Sequence, residues 1–264
     1  MVFLKFNAIF LFILVSLLSC KRHTKTDSAL LVNNGFEVGG KLPMFVKEPP
    51  EIIMQSTVLF QTPGGSPIEI CSGVLVKNNR VLTAKHCLKP NINKVPNVVL
   101  FDGSVVQGLQ GTLEREKKLD LAFFDLAIPV KKPFKEVHVW EEGYPISVGH
   151  KAIIAGYGQI KPNVLSPNKL HFGFVRYTGQ WIKEVVSDTN GFVAKDVLLY
   201  SPLGLLKEKQ GILPGDSGGP TFGKDENGKW GLVGINSISK NTITGIYSYI
   251  TNTRVKYVKN WFLQ

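Results

Sequence analysis

Three short strings carry residue types able to perform acyl-transfer chemistry. Ser217 lies in Gly215-Asp216-Ser217-Gly218-Gly219-Pro220, His86 lies in Leu82-Thr83-Ala84-Lys85-His86-Cys87, and Asp120 and Asp125 each precede a leucine. A serine hydroxyl is a poor nucleophile at neutral pH and needs a base of pKa near 7 within hydrogen-bond reach, for which His86 is the candidate. A buried carboxylate on the other ring nitrogen would fix the tautomer and stabilise the imidazolium formed during attack; by type, either aspartate qualifies. Gly215 and Gly218 flank Asp216-Ser217 and permit a tight turn in which the N–H groups of Gly215 and Ser217 can aim at one developing negative charge. Taken singly, each string has a plainer reading: a satisfied core histidine, a strand-end charge, an ordinary turn. The other histidines, His23, His138, His150 and His171, lack comparable settings and read as structural or solvated.

These strings are far apart in the chain, so a fold must unite them. Of 264 residues, 44% are apolar and 19% charged, which suits a folded globular protein rather than a disordered one. With 26 glycines and 15 prolines, long helices are disfavoured and many short strands are expected. Apolar runs bounded by turn residues predict strands over 56–60, 73–76, 80–83, 98–101, 121–124, 152–156, 170–175, 196–200, 230–235 and 243–247. Lys77-Asn78-Asn79 and Asp225-Glu226-Asn227-Gly228 read as hairpin turns. Near the end, Asn252 is placed to cap a helix whose Val255, Val258, Trp261 and Phe262 form one apolar face. There is no repeat of fixed period. The net charge of +11 alone does not separate nucleic acid, an anionic membrane surface and acidic substrates as partners. With no groove-reading helix or aromatic binding motif in the sequence, nucleic acid is not expected.

Residues 1–19 combine one cation, Lys5, with an apolar run too short to span a bilayer comfortably, and read as an export signal. Leu17-Leu18-Ser19-Cys20 also resembles the lipobox of bacterial lipoproteins, which would make Cys20 the lipidated first residue; an ordinary signal is the alternative. Residues 20–50, opening on the basic cluster Lys21-Arg22-His23-Thr24-Lys25, read as a tether or pro-segment. Setting Cys20 aside leaves Cys71 and Cys87, which an exported protein can join, for about 3 kcal/mol of stabilisation on the chain-entropy model. Adjacent His86 and Cys87 are poorly placed to face one ion and no fourth ligand has recognisable spacing, so no metal site is expected.

Together, the His86, Asp120 and Ser217 strings, in that order, resemble the trypsin/chymotrypsin family of serine endopeptidases. Cys71-Ser72-Gly73, Ala155-Gly156-Tyr157-Gly158, Gly234-Ile235-Asn236-Ser237 and the terminal helix extend the resemblance over residues 56–264. It selects Asp120 over Asp125 and implies a catalytic triad of His86, Asp120 and Ser217 with an oxyanion hole at Gly215 and Ser217. The fold it implies is all-β, two antiparallel six-stranded barrels over about 51–145 and 146–250 followed by a helix at 252–263, with the cleft between the barrels and Cys71 and Cys87 clamping the histidine loop. No cofactor is implied, and the partners are protein or peptide substrates, with membrane attachment through a lipid on Cys20.

The resemblance also assigns finer roles. Ser237 matches the family serine beside the aspartate, and Ser237-Ile238-Ser239 the strand that pairs with substrate backbone. Gly211, Ile212 and Gly245 match the primary specificity pocket. Gly211 stands where trypsin-like enzymes place an aspartate, so an apolar or small residue before the scissile bond is expected, unless Glu208 restores acidity through a shifted loop. The family's disulfide near this pocket is missing, since Leu213 and the residues around Ser239 are not cysteines. Asp216 matches the partner of an amino terminus freed by activation, for which Leu31-Val32-Asn33-Asn34-Gly35 and Val38-Gly39-Gly40 are loose candidates. The competing reading is an inactive relative that binds protein or glycan through the same surface, as a lipoprotein.

Overall fold

The structure is a computed structural model. It describes residues 50–62, 69–131, 133–134, 136–141, 144–161, 164–165, 169–186, 193–202, 211–242, 245–254 and 256–264. Cys20, the signal, residues 21–49 of the tether, the two activation candidates, Glu208 and Val255 lie outside these residues.

A short helix, Glu51–Ser56, leads directly into the first sheet; Pro50 stands at its N-cap, and the acid Glu51 in its first turn is favourably placed against the helix dipole. The strands of this sheet are β1 (Thr57–Gln61), β2 (Ile70–Lys77), β3 (Arg80–Thr83), β4 (Val98–Val99), β5 (Val105–Val106), β6 (Glu114–Arg115) and β7 (Ala122–Asp125), in the order β5-β4-β1-β2-β3-β7-β6. The helix was not foreseen, because six residues show no 3.6-residue period, and it claims Ser56 from the expected first strand. The expected turn at 78–79 joins β2 to β3. All of these pairings are antiparallel.

In the second half, β8 (Lys151–Gly156) is followed by a small ladder of β9 (Gln159–Lys161) and β10 (Val164–Leu165). Then come β11 (His171–Val186), β12 (Val193–Pro202), β13 (Pro220–Lys224), β14 (Trp230–Thr242) and β15 (Gly245–Asn252). With β8 these close a six-stranded barrel in the order β11-β12-β15-β14-β13-β8. The molecule is thus a trypsin-like all-β fold, with seven strands in the first sheet because short β5 and β6 extend its edges.

Three strands run well past their expected ends: β11, expected to close at 175, reaches Val186, β14, expected to close at 235, reaches Thr242, and β15, expected to close at 247, reaches Asn252. β11 and β12 continue past the barrel as a hairpin pairing Trp181 with Leu198 and Val186 with Val193. Trp181 is 54% exposed there, while Ala194 and Val197 are fully buried and pack with Ile182 and Val185 in a small apolar cluster. The terminal helix, Lys256–Leu263, starts later than expected. Asn252 is not its cap: the residue still pairs with Gly234 in the β14–β15 ladder, and its side-chain oxygen accepts the N–H of Arg254 at 3.1 Å. Val258 and Phe262 are fully buried on the expected apolar face, while Trp261 is only partly covered. Arg80 fastens this helix: its guanidinium meets both oxygens of Asp125 at 2.6 and 3.0 Å, donates to the Phe262 carbonyl at 3.1 Å and lies over the Phe123 ring. One apolar cluster runs from Val58, Phe60 and Phe124 of the first sheet to Ile153, Phe222 and Ile235 of the barrel, so the two halves share a core.

Candidate functional site

His86 lies in a single turn of 3-10 helix, Lys85–Cys87, directly after β3. Cys87 ends the turn and is bridged to Cys71 on β2, with Cα atoms 6.1 Å apart, so the disulfide ties the histidine turn to the sheet it leaves. Asp120 immediately precedes Leu121 and β7, the neighbour of β3, and is 1% exposed. Both oxygens of its carboxylate are engaged: Oδ2 accepts from His86 Nδ1 at 2.8 Å and from Ser237 Oγ at 2.6 Å, and Oδ1 accepts the main-chain N–H of His86 at 3.0 Å. Asp125 stands at the other end of β7, engaged by Arg80, and takes no part. The choice between the two aspartates thus follows from strand position: Asp120 opens β7 beside the histidine turn, whereas Asp125 closes it beside the terminal helix.

Burial of this ion pair opposes charge on both members, but their mutual attraction outweighs it. For His86, desolvation pulls the pKa down, yet the charge of Asp120 and its hydrogen bond raise it above the usual 6.5. For Asp120, burial pushes upward, and the His86 charge with bonds from His86 and Ser237 brings the net shift below the usual value. The carboxylate therefore stays ionised and the imidazole becomes a stronger base.

Ser217 sits in the turn before β13, whose carbonyls are stitched to the other sheet. Its own carbonyl accepts the N–H of Ser72 on β2 at 2.8 Å and lies 3.5 Å from Cys87 Sγ, which brings the serine turn against the histidine turn. Glycine is required at 218: φ is +82°, and a Cβ there would lie 2.0 Å from Thr83 Oγ1 and 2.2 Å from the Ser72 carbonyl. Asp216 is fully buried and accepts N–H bonds from Gly158 and Leu213, both at 2.9 Å. Burial outweighs those bonds and pushes its pKa up to about 8.

The remaining expected positions cluster nearby. Ile212 donates its N–H to Ser248 Oγ on β15 at 3.2 Å, and a Cβ on Gly211 would lie 2.4 Å from Ile246 Cγ2. Ser237, Ile238 and Ser239 lie on β14, beyond Ile235, where its described pairing with β13 ends; they keep β15 on one side, Ile238 opposite Tyr249 and Ser239 opposite Ser248. Gly245 opens β15. Of the other histidines, His150 Nε2 contacts Tyr144 Oη at 3.0 Å, and His138 stacks edge-on to Trp140. His171 is 1% exposed with neither ring nitrogen hydrogen-bonded, and burial lowers its pKa to about 4. Among the described residues no group of three metal-binding side chains forms. No described helix is long and apolar enough to cross a membrane.

Two buried polar side chains on this turn were not anticipated, Ser72 and Asn236. Both fall within strings that carry the resemblance, Cys71-Ser72-Gly73 and Gly234-Ile235-Asn236-Ser237, but nothing in those strings assigns either side chain a role.

The trypsin family's sequence model matches residues 49–262. The chain is 25% identical over 211 residues to transmembrane protease serine 11G of Rattus norvegicus, covering 74% of this chain and 49% of the relative. It is 24% identical to the Mus musculus 11G protein over 211 residues, at the same coverage, and 24% identical to transmembrane protease serine 11C of Mus musculus over 208 residues, 72% of this chain and 46% of that one. The chain thus spans about half the length of these curated relatives. The match over most of its length, on a two-sheet fold with this disulfide, means that the chain belongs to the trypsin family of serine proteases.

Proposed function

We propose that the protein is an exported serine endopeptidase that cleaves peptide bonds through His86, Asp120 and Ser217. Ser217 Oγ attacks the carbonyl carbon of the scissile bond while its proton passes to His86 Nε2. The Asp120 carboxylate holds Nδ1–H and stabilises the resulting imidazolium. The N–H groups of Gly215 and Ser217 receive the oxyanion. Collapse of the adduct breaks the C–N bond, and His86 returns the proton to the departing amine. Water, deprotonated by the same imidazole, then hydrolyses the acyl-enzyme. The triad itself calls for no cofactor. The observation that carries this reading is the buried Asp120 carboxylate, each of whose two oxygens accepts a bond from His86.

Substrate backbone would pair with the edge of β14 at Ser237-Ile238-Ser239. Between Gly211, Ile212 and Gly245 the pocket takes an apolar or small side chain. A carboxylate on residue 211 would collide with Ile246, and a substrate cation buried without such a partner would be costly. For the wider chain the reading is a signal over 1–19, a tether or pro-segment over 20–50 and the protease domain over 51–264, with lipid attachment at Cys20 in a bacterial envelope. A cut that frees an amino terminus would supply an ammonium partner for Asp216 and would separate the enzyme from that anchor. Protein or peptide substrates are the partners, not nucleic acid.

A cleavage profile against a peptide library, run with wild type and Ser217→Ala, tests the assignment. Wild type is expected to hydrolyse peptides with small or apolar residues before the cut and to be labelled at Ser217 by a fluorophosphonate, and the variant to do neither while folding normally. A folded wild-type protein that is neither labelled nor active would favour the competing reading of an inactive binding lipoprotein.

A further inference from the structure

Ser72 and Asn236 are both fully buried and converge on the turn 215–219 from opposite sheets. Their bonds fix the peptide planes around Ser217 one after another. A peptide unit is rigid and planar, with its carbonyl and the following N–H pointing in opposite directions, so pinning one end aims the other. Between residues 215 and 216, the Gly215 carbonyl accepts from Ser72 Oγ at 2.9 Å and the Asp216 N–H donates to the Leu213 carbonyl at 3.0 Å. Between 217 and 218, the Ser217 carbonyl accepts from Ser72 N at 2.8 Å and the Gly218 N–H donates to the Asn236 carbonyl at 2.8 Å. The plane between them decides the direction of the Ser217 N–H. Its carbonyl, that of Asp216, accepts from Gly219 N at 3.0 Å and from Asn236 Nδ2 at 3.3 Å. Asn236 N also holds the Gly219 carbonyl at 2.8 Å.

Both side chains are themselves held in one orientation. Asn236 Nδ2 donates to the Ala155 carbonyl at 3.0 Å as well as to Asp216, and Oδ1 accepts from Thr221 Oγ1 at 2.8 Å, so a flipped amide would face carbonyls with an oxygen. Ser72 Oγ, while donating to Gly215, accepts the buried Tyr157 N–H at 2.9 Å. The turn needs such outside support, because Gly215 and Gly218 sit at φ of +94° and +82° and glycine has no intrinsic preference for staying there.

We propose that Ser72 and Asn236 are positioning residues for the oxyanion hole, which hold the Ser217 N–H aimed at the developing charge without touching substrate. This rests on the protease reading above. A donor fixed before the reaction acts on the transition state and little on the ground state, so its loss belongs in kcat.

The test uses the protein purified in both its uncut form and its form cut before the protease domain, a peptide p-nitroanilide with alanine before the scissile bond, and the trifluoromethyl ketone of the same peptide, each variant being compared with wild type in whichever form is active. Ser72→Ala is expected to lower kcat by about 10- to 100-fold and to weaken the ketone by a matching factor. KM should stay within about twofold, and the pH midpoint should not move because His86 and Asp120 are untouched. Thr221→Val, which keeps its shape but releases the Asn236 amide, should give a smaller loss of the same kind; if Ser72→Ala does not fold, it carries the test alone. A folded variant with unchanged kcat, or with its loss confined to KM, overturns the proposal and leaves the protease reading intact. A wild-type protein neither labelled at Ser217 nor hydrolysing the substrate overturns both.

Discussion

The side chain that most constrains the site is Asp120, which spends its two oxygens on a ring nitrogen, a main-chain N–H and Ser237. Two consequences separate in Asp120→Asn. Without the carboxylate, the tautomer of His86 is no longer imposed, and kcat should fall by about 10⁴-fold, the general size of this loss in serine-protease triads. The charge that raises the His86 pKa also disappears while burial remains, so the imidazole pKa should drop below its usual 6.5. In wild type the acid limb of kcat/KM should have its midpoint above 6.5, because the base must be neutral. In the variant the residual activity should hold to lower pH, and a midpoint that stays in place would contradict this account. His86, Asp120 and Ser217 were legible as types in a fixed order, and the structure unites His86 with Asp120. Ser72 and Asn236 were not, because a hydroxyl or amide that orients backbone carries no chemistry of its own.

Among the elements, the expected range of β3 matches residue for residue and that of β8 differs by one residue, both being short inward-facing apolar runs, whereas β14 and β15 extend well past theirs. β13 is not among the expected strands although four of its five residues are buried, because Pro220-Thr221-Phe222-Gly223-Lys224 shows neither an apolar run nor alternation. Glu51–Ser56 is too short to show a period, the outer β11–β12 hairpin buries Ala194 and Val197 three positions apart rather than two, and Asn252 is detained by the β14–β15 ladder. Arg80 explains how the late-starting terminal helix is still held firmly. Its side chain and that of Asp125 are only 15% and 17% exposed, so the pair is screened little by solvent. Arg80→Met should keep much of the stem packing yet lose the bidentate pair and the bond to Phe262, lowering stability by about 2 kcal/mol in denaturant titration. Equal stability would mean that the helix is held by Val258 and Phe262 alone.

For the molecule as a whole, the buried Asp216 makes stability depend on pH in an unusual sense. Its pKa is about 8 in the folded chain and near 3.8 when unfolded, so between these values the folded state binds a proton that the unfolded state does not. The stabilisation is complete below pH 3.8 and is lost as pH rises through 8, with a limiting slope of about 1.4 kcal/mol per pH unit for one proton. Asp216→Asn should flatten that slope in urea titrations at successive pH values. So should the proposed cut, whose new ammonium would pull the carboxyl pKa down. A wild-type slope already as flat as that of the variant would count against both statements.

The Ser217 carbonyl is bonded to Ser72, and Asp120 to Ser237. Residues from opposite ends of the polypeptide are therefore needed before the reactive groups can meet. β14 must emerge from the ribosome before Ser237 can reach Asp120, so on the protease reading a nascent copy that lacks this strand has no completed site with which to cut its neighbours.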